Sequence, residues 1–69
     1  MEVSGTNILK GKLVKVVEGA VNCEVTLEIA PGTEIVGTTT KTSVTLLYLA
    51  EGKTAFAIIK ASDVMIAVD

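Results

Sequence analysis

At 69 residues the chain has room for one domain, and a domain of that size buries only about 60% of its unfolded surface, so it folds with little margin. With no histidine and a single cysteine it can form neither an intramolecular disulfide nor an ordinary zinc site, and nucleophile–base catalysis has no evident pair to work with. The net charge of −2 gives no general attraction to nucleic acid or to anionic membranes.

Apolar residues make up 49% of the chain, and the mean hydropathy is +0.60. That is high for so little interior, and it predicts that part of the apolar surface is covered by other copies of the chain. No apolar run approaches the roughly 18 residues needed to span a membrane. Met1-Glu2-Val3-Ser4 lacks the basic start and apolar stretch of a signal peptide. Together with the lone cysteine, this points to a reducing cytoplasm.

Ser4-Gly5-Thr6-Asn7 opens the chain as a turn or a ragged end. A first strand is expected over residues 8–18, with Gly11 inside it marking a bend, a bulge or a close backbone approach. Glu18-Gly19-Ala20 is a turn. Residues 21–29 alternate cleanly: Val21, Cys23, Val25, Leu27 and Ile29 on one face, Asn22, Glu24, Thr26 and Glu28 on the other. That is the pattern of a half-buried antiparallel strand, with Cys23 as a small core residue.

Pro31-Gly32 is a turn signal, and residues 34–40 form a third strand. Thr40 is placed to cap a short helix with Ser43 in its first turn, and Val44, Leu47 and Tyr48 are its expected buried side. Glu51-Gly52-Lys53 turns the chain into two apolar runs, 56–59 and 64–68, separated by Lys60-Ala61-Ser62-Asp63. Both runs read as buried strands. The order predicts an all-β fold: an OB-like, five-stranded Greek-key barrel with one short helix between the third and fourth strands, in one domain spanning residues 1–69.

The acidic residues are scattered over turns and polar faces, where they keep the surface solvated. OB folds often hold single-stranded nucleic acid through a basic groove with aromatic platforms. This chain has only Tyr48 and Phe56, both read as core positions, and lysines 10, 12, 15, 41, 53 and 60. Nucleic-acid binding is therefore the weaker alternative. Hydrogen-bond donors form a more telling set. Ser4, Thr6, Asn7, Ser43 and Lys60 all carry donors, and a helix start adds free backbone N–H groups. A dianionic tetrahedral oxyanion accepts in every direction and suits such a shell, whereas hydrogen phosphate carries a donor of its own and wants an acceptor in the shell.

Four segments carry a family resemblance. They are Ser4-Gly5-Thr6-Asn7-Ile8-Leu9-Lys10-Gly11, Glu18-Gly19-Ala20-Val21-Asn22, Thr40-Lys41-Thr42-Ser43-Val44 and Ala57-Ile58-Ile59-Lys60-Ala61-Ser62-Asp63-Val64-Met65-Ile66. In that order and spacing the chain resembles the molbindins, small cytoplasmic molybdate- and tungstate-binding proteins built from one Mop (TOBE-type) domain. The resemblance implies a homohexamer, a trimer of dimers, with molybdate or tungstate held between subunits for intracellular storage and homeostasis. It implies no catalysis, no covalent cofactor, no bare metal cation, and no nucleic-acid or membrane partner. It carries oxyanion binding onto Ser4, Thr6, Asn7, Ser43, Lys60 and Ala61, and a second site onto the turn Gly19, Ala20, Val21 and Asn22. Thr6 stands where the family usually has arginine. The alternative role is a stand-alone oxyanion-sensing module that docks on a transporter or transcription factor.

Overall fold

The computed structural model describes residues 4–69. Four strands form one antiparallel sheet: β1 (Thr6–Glu18), β2 (Asn22–Ala30), β3 (Thr33–Thr40) and β4 (Thr54–Lys60). A short helix, α1 (Lys41–Leu46), joins β3 to β4, and a single 3-10 turn, Ala61–Asp63, follows β4. The sheet order is β3-β2-β1-β4. The fold is the expected OB-like one, a curled antiparallel sheet with one helix inserted before the fourth strand.

The central strand serves two partners in succession. Its first half, Thr6 to Lys12, pairs with β4, and its second half, Lys12 to Glu18, pairs with β2. The switch of partner coincides with an irregularity: Leu13 faces Leu27 and Lys15 faces Thr26, so Val14 is an extra residue without a place in the ladder. A bulge of this kind bends the strand and raises its twist, which lets a sheet curl. Just before it, the backbones come too close for a side chain. A Cβ on Gly11 would sit 2.5 Å from the Glu28 carbonyl oxygen and 2.9 Å from the Leu27 Cγ. Gly11 is therefore the close approach the sequence suggested, and the bulge falls three residues later.

The core is small. Leu13, Cys23, Leu27 and Val44 are the buried apolar residues, and Cys23 is 1% exposed. Cys23 and Leu27 lie on the apolar face that the alternation of β2 predicts. Val44 is the buried residue of α1, but Leu47 and Tyr48 are exposed, at 59% and 79%. The helix is only six residues long and turns away at once. The Leu49 N–H donates to Val44 O at 3.0 Å and the Tyr48 N–H to Thr45 O at 3.3 Å, with Tyr48 at φ 53°. This is the left-handed helix stop that usually takes glycine. The Lys53 Nζ reinforces it by donating to the Leu47 and Tyr48 carbonyls at 2.7 and 3.3 Å.

Two further expectations are corrected. Phe56 is not a core residue but is 50% exposed. Residues 64–68 do not form a fifth strand: among the described residues no ladder includes them, and Met65, Ile66 and Val68 are 85–93% exposed. Their composition suits a strand, but the 3-10 turn carries them away from the sheet, and a strand exists only where a neighbour supplies its hydrogen bonds. An apolar groove of about 490 Å³ runs along the sheet, lined by Ile35 and Val36 of β3, Leu47 and Leu49, and Phe56 and Ile58 of β4, among others.

Gly11→Ala should destabilise the protein by about 1–3 kcal/mol, because the Glu28 carbonyl on a paired strand cannot give way without breaking the ladder. Gly37→Ala, whose Cβ meets nothing closer than the Val25 Cγ2 at 3.9 Å, should cost far less. Thermal melts of the two variants at equal protein concentration compare them, and equal losses would refute the close approach at Gly11.

Candidate functional site

The candidate residues divide between the two ends of β1. At its start, the exposed turn of Ser4 and Gly5 leads into Thr6, which pairs directly with Lys60, the last residue of β4. Asn7 pairs with Ile59, and the Ala61 N–H donates to Gly5 O at 3.0 Å, which carries the ladder one step past β4. Residues far apart in sequence are thereby fixed side by side. Because hydrogen-bonded and non-bonded pairs alternate along an antiparallel ladder, the bonded Gly5–Ala61 pair makes Thr6–Lys60 a non-bonded one. In such a pair the Cα atoms stand only about 4.5 Å apart and the side chains rise together.

The face they share is the outward one. Thr6, Ile8 and Lys10 alternate with Leu9, Gly11 and the buried Leu13, and opposite them Lys60, Ile58 and Phe56 alternate with Ile59, Ala57 and Ala55. Lys60, Ile58 and Phe56 are exposed, whereas Ile59, Ala57 and Ala55 are half-buried. Asn7 points to the other face, and its Nδ2 donates to the Ile59 carbonyl at 3.4 Å. It ties the two strands together next to the Thr6–Lys60 pair. The Ala61 N–H is likewise engaged, by Gly5, and the exposed Lys60 and Ser4 flank Thr6 at this end.

Ser43 lies at the opposite end. Asn22 pairs with Thr40, and the Lys41 N–H donates to Val21 O at 2.9 Å, which sets the start of α1 against the turn that joins β1 to β2. That turn is closed by the Gly19 N–H donating to Asn22 O at 2.9 Å, and a Cβ on Gly19 would stand 2.6 Å from the same oxygen. Thr40 is the helix cap: its Oγ1 accepts from the Ser43 N–H at 3.0 Å and donates to the Ser43 Oγ at 2.9 Å. The Ser43 hydroxyl is thus held against the Thr40 side chain at the start of α1. Ser43 therefore gathers with Gly19, Ala20, Val21 and Asn22, not with Lys60. Ser43 and Lys60 thus lie apart within one chain, so a site that uses both, as the expected site between subunits does, draws them from different copies.

Among the described residues no group of three or more His, Cys, Asp or Glu side chains is placed to hold a metal ion. Among the described residues no helix is long and apolar enough to cross a membrane. Cys23, buried on the core face, has the surroundings of a packing residue.

Thr40→Ala should remove both the cap and the partner that orients Ser43, at a cost of about 1 kcal/mol. Thr40→Ser keeps the acceptor and should recover most of it. Urea unfolding of the two variants measures the difference, and an unchanged midpoint for Thr40→Ala would contradict the cap.

Known proteins share this geometry over the whole chain. The sequence pattern of the TOBE domain matches residues 3–66. A probable molybdenum-pterin-binding protein of Haemophilus influenzae is 42% identical over 69 residues, which is 100% of this chain and 100% of that protein. Among solved structures, a molybdate-binding protein from Sporomusa ovata superposes with a TM-score of 0.89 at 31% identity, covering 99% of this chain and 100% of the other. The cytoplasmic molybdate-binding protein ModG, with molybdate bound, superposes with a TM-score of 0.88 at 46% identity, covering 94% of this chain and 46% of that one.

Proposed function

The chain belongs to the TOBE domain family, and from that premise we propose that it binds molybdate or tungstate reversibly, without catalysis, as a single Mop-type domain serving intracellular molybdenum storage and homeostasis. The observation that carries the reading is the Thr6–Lys60 pair. One exposed ammonium and an adjacent hydroxyl rise together from a rigid ladder, with the Ser4 hydroxyl beside them. Such groups can hold an oxyanion by charge and hydrogen bonds. The likeness to molybdate-binding proteins over the full chain supports the choice of ligand.

A second copy completes the site. Lys60 and Ser43 occupy opposite ends of β1, so one chain cannot close both around a single anion. Two copies set head to tail bring the Lys60 end of one against the Ser43 end of the other. The chain also exposes 5311 Å² of surface, where a monomer of 7.2 kDa should expose about 4,100 Å². The excess exceeds the roughly 800 Å² that each partner buries in a stable interface. Residues 64–68 and the groove along the sheet are both apolar, and pairing them between copies covers both. We assign the assembly as a homohexamer, a trimer of dimers, with oxyanions between subunits and a second site at the Gly19–Asn22 turn. The cytoplasm is its compartment.

Native mass spectrometry of the purified protein should show six copies, with molybdate retained at substoichiometric to full occupancy after loading. Truncation after Asp63 should dissociate it. A stably folded 7.2 kDa monomer would refute the assembly. A charge-assisted hydrogen bond to a dianion contributes about 1.5–3 kcal/mol, so Lys60→Ala should weaken molybdate binding about tenfold to a hundredfold while the fold persists. Calorimetry showing unchanged affinity would remove Lys60 from the site.

A further inference from the structure

Resting on the reading of this end as an oxyanion site, we infer that Asp63 governs how loosely it holds its anion. The carboxylate, one turn beyond Lys60, competes with the bound dianion for the Lys60 ammonium, which lowers affinity and speeds exchange.

The inference follows from where the turn after β4 puts its charge. Lys60 ends β4 opposite Thr6, and Ala61–Asp63 form the 3-10 turn directly after it. Two hydrogen bonds fix that turn to the ladder. The Ala61 N–H donates to Gly5 O at 3.0 Å, and the Val64 N–H donates to Ala61 O at 3.3 Å. In a 3-10 turn, residues three apart come round to the same side, with Cα atoms within about 7 Å. Asp63 follows Lys60 by that spacing, so its carboxylate stands within reach of the long lysine stem, and both residues are exposed. The other carboxylates of the sheet lie elsewhere. Glu28 is opposite Lys12 and Glu34 opposite Glu28, while Glu24 is opposite Val17 and Glu18 ends β1. Glu51 belongs to the turn that the Gly52 N–H holds against Leu13. The next lysine on the face of Lys60 is Lys10, opposite Phe56 and further along the ladder. One positive and one negative charge therefore share this end, closer together than the Debye length of about 8 Å at physiological salt. A dianion arriving there is drawn by Lys60 and repelled by Asp63. It must take the ammonium from a carboxylate that the chain itself supplies.

Calorimetry on the full chain measures molybdate affinity in the wild type, Asp63→Asn and Asp63→Glu, at low ionic strength and again at high salt. Exposed charges shift equilibria modestly, and a dianion feels the carboxylate twice over. Asp63→Asn should therefore bind molybdate about threefold to tenfold tighter at low ionic strength. Stopped-flow exchange should show the gain as slower release. In about 1 M sodium chloride, where the Debye length is about 3 Å, the gain should shrink to about twofold or less. Asp63→Glu keeps the charge and should stay within about twofold of the wild type. Asp63→Ser removes the charge with a different turn-forming side chain, so a misfolded Asp63→Asn protein does not decide the matter. Unchanged or weaker affinity in the folded neutral variants overturns the inference. So does a gain that Asp63→Glu shares, or one that salt leaves untouched. A chain that binds no molybdate, as wild type or as either neutral variant, overturns the proposed function and this inference with it. Wild-type binding without the gain overturns this inference alone.

Discussion

The structure depends on one strand being long enough to hold two neighbours in turn. β1 takes β4 along its first half and β2 along its second, and Lys12 belongs to both ladders, opposite Thr54 on one side and Glu28 on the other. Just beyond that residue, the Leu13 N–H donates to Lys53 O at 2.9 Å and the Gly52 N–H to Leu13 O at 2.7 Å, so the chain re-entering after α1 is pinned where the strand changes partner. Everything at the ends follows from this. The start of β1 meets the end of β4, which joins Thr6 to Lys60. Its finish feeds the tight turn into β2, against which α1 begins.

How much could be read in advance depended on how local the cause was. The Thr40 cap, the Gly11 approach and the core face of β2 are written in neighbouring residues: an oxygen three positions before an amide, a missing side chain, a period of two. The bulge at Val14 was not legible, because Leu13, Val14, Val16 and Val17 are all apolar and no alternation marks the slip. Phe56, Leu47 and Tyr48 were misplaced because hydrophobicity reports a tendency to be covered, not which molecule does the covering. The same holds for residues 64–68. Their β-branched composition fits a strand, yet strand pairing is a property of two segments, and among the described residues none pairs with them.

The candidate site divides in the same way. The residue types were legible because a lysine beside small residues at the end of an apolar run stands out. Their grouping was not, because it is set by register. The adjacency of Thr6 and Lys60 is fixed by a ladder between the two termini, and the separation of Ser43 from both is fixed by which end of β2 the third strand leaves. In the proposed assembly the incomplete core and the divided site have one remedy, since the copy that covers apolar surface also brings the missing donor.

The extra residue at Val14 makes the two halves of β1 obey opposite parity. Before it, odd-numbered residues such as Leu9 and Leu13 face inward; after it, Val16 pairs with Val25 on the core face of β2. The strand is thus a sentence read in two frames, one for the half that pairs with β4 and one for the half that pairs with β2. Losing or gaining a single residue there would leave each half locally well patterned and yet turn one of them inside out. The length of the junction between them is therefore under a constraint that no individual side chain reveals.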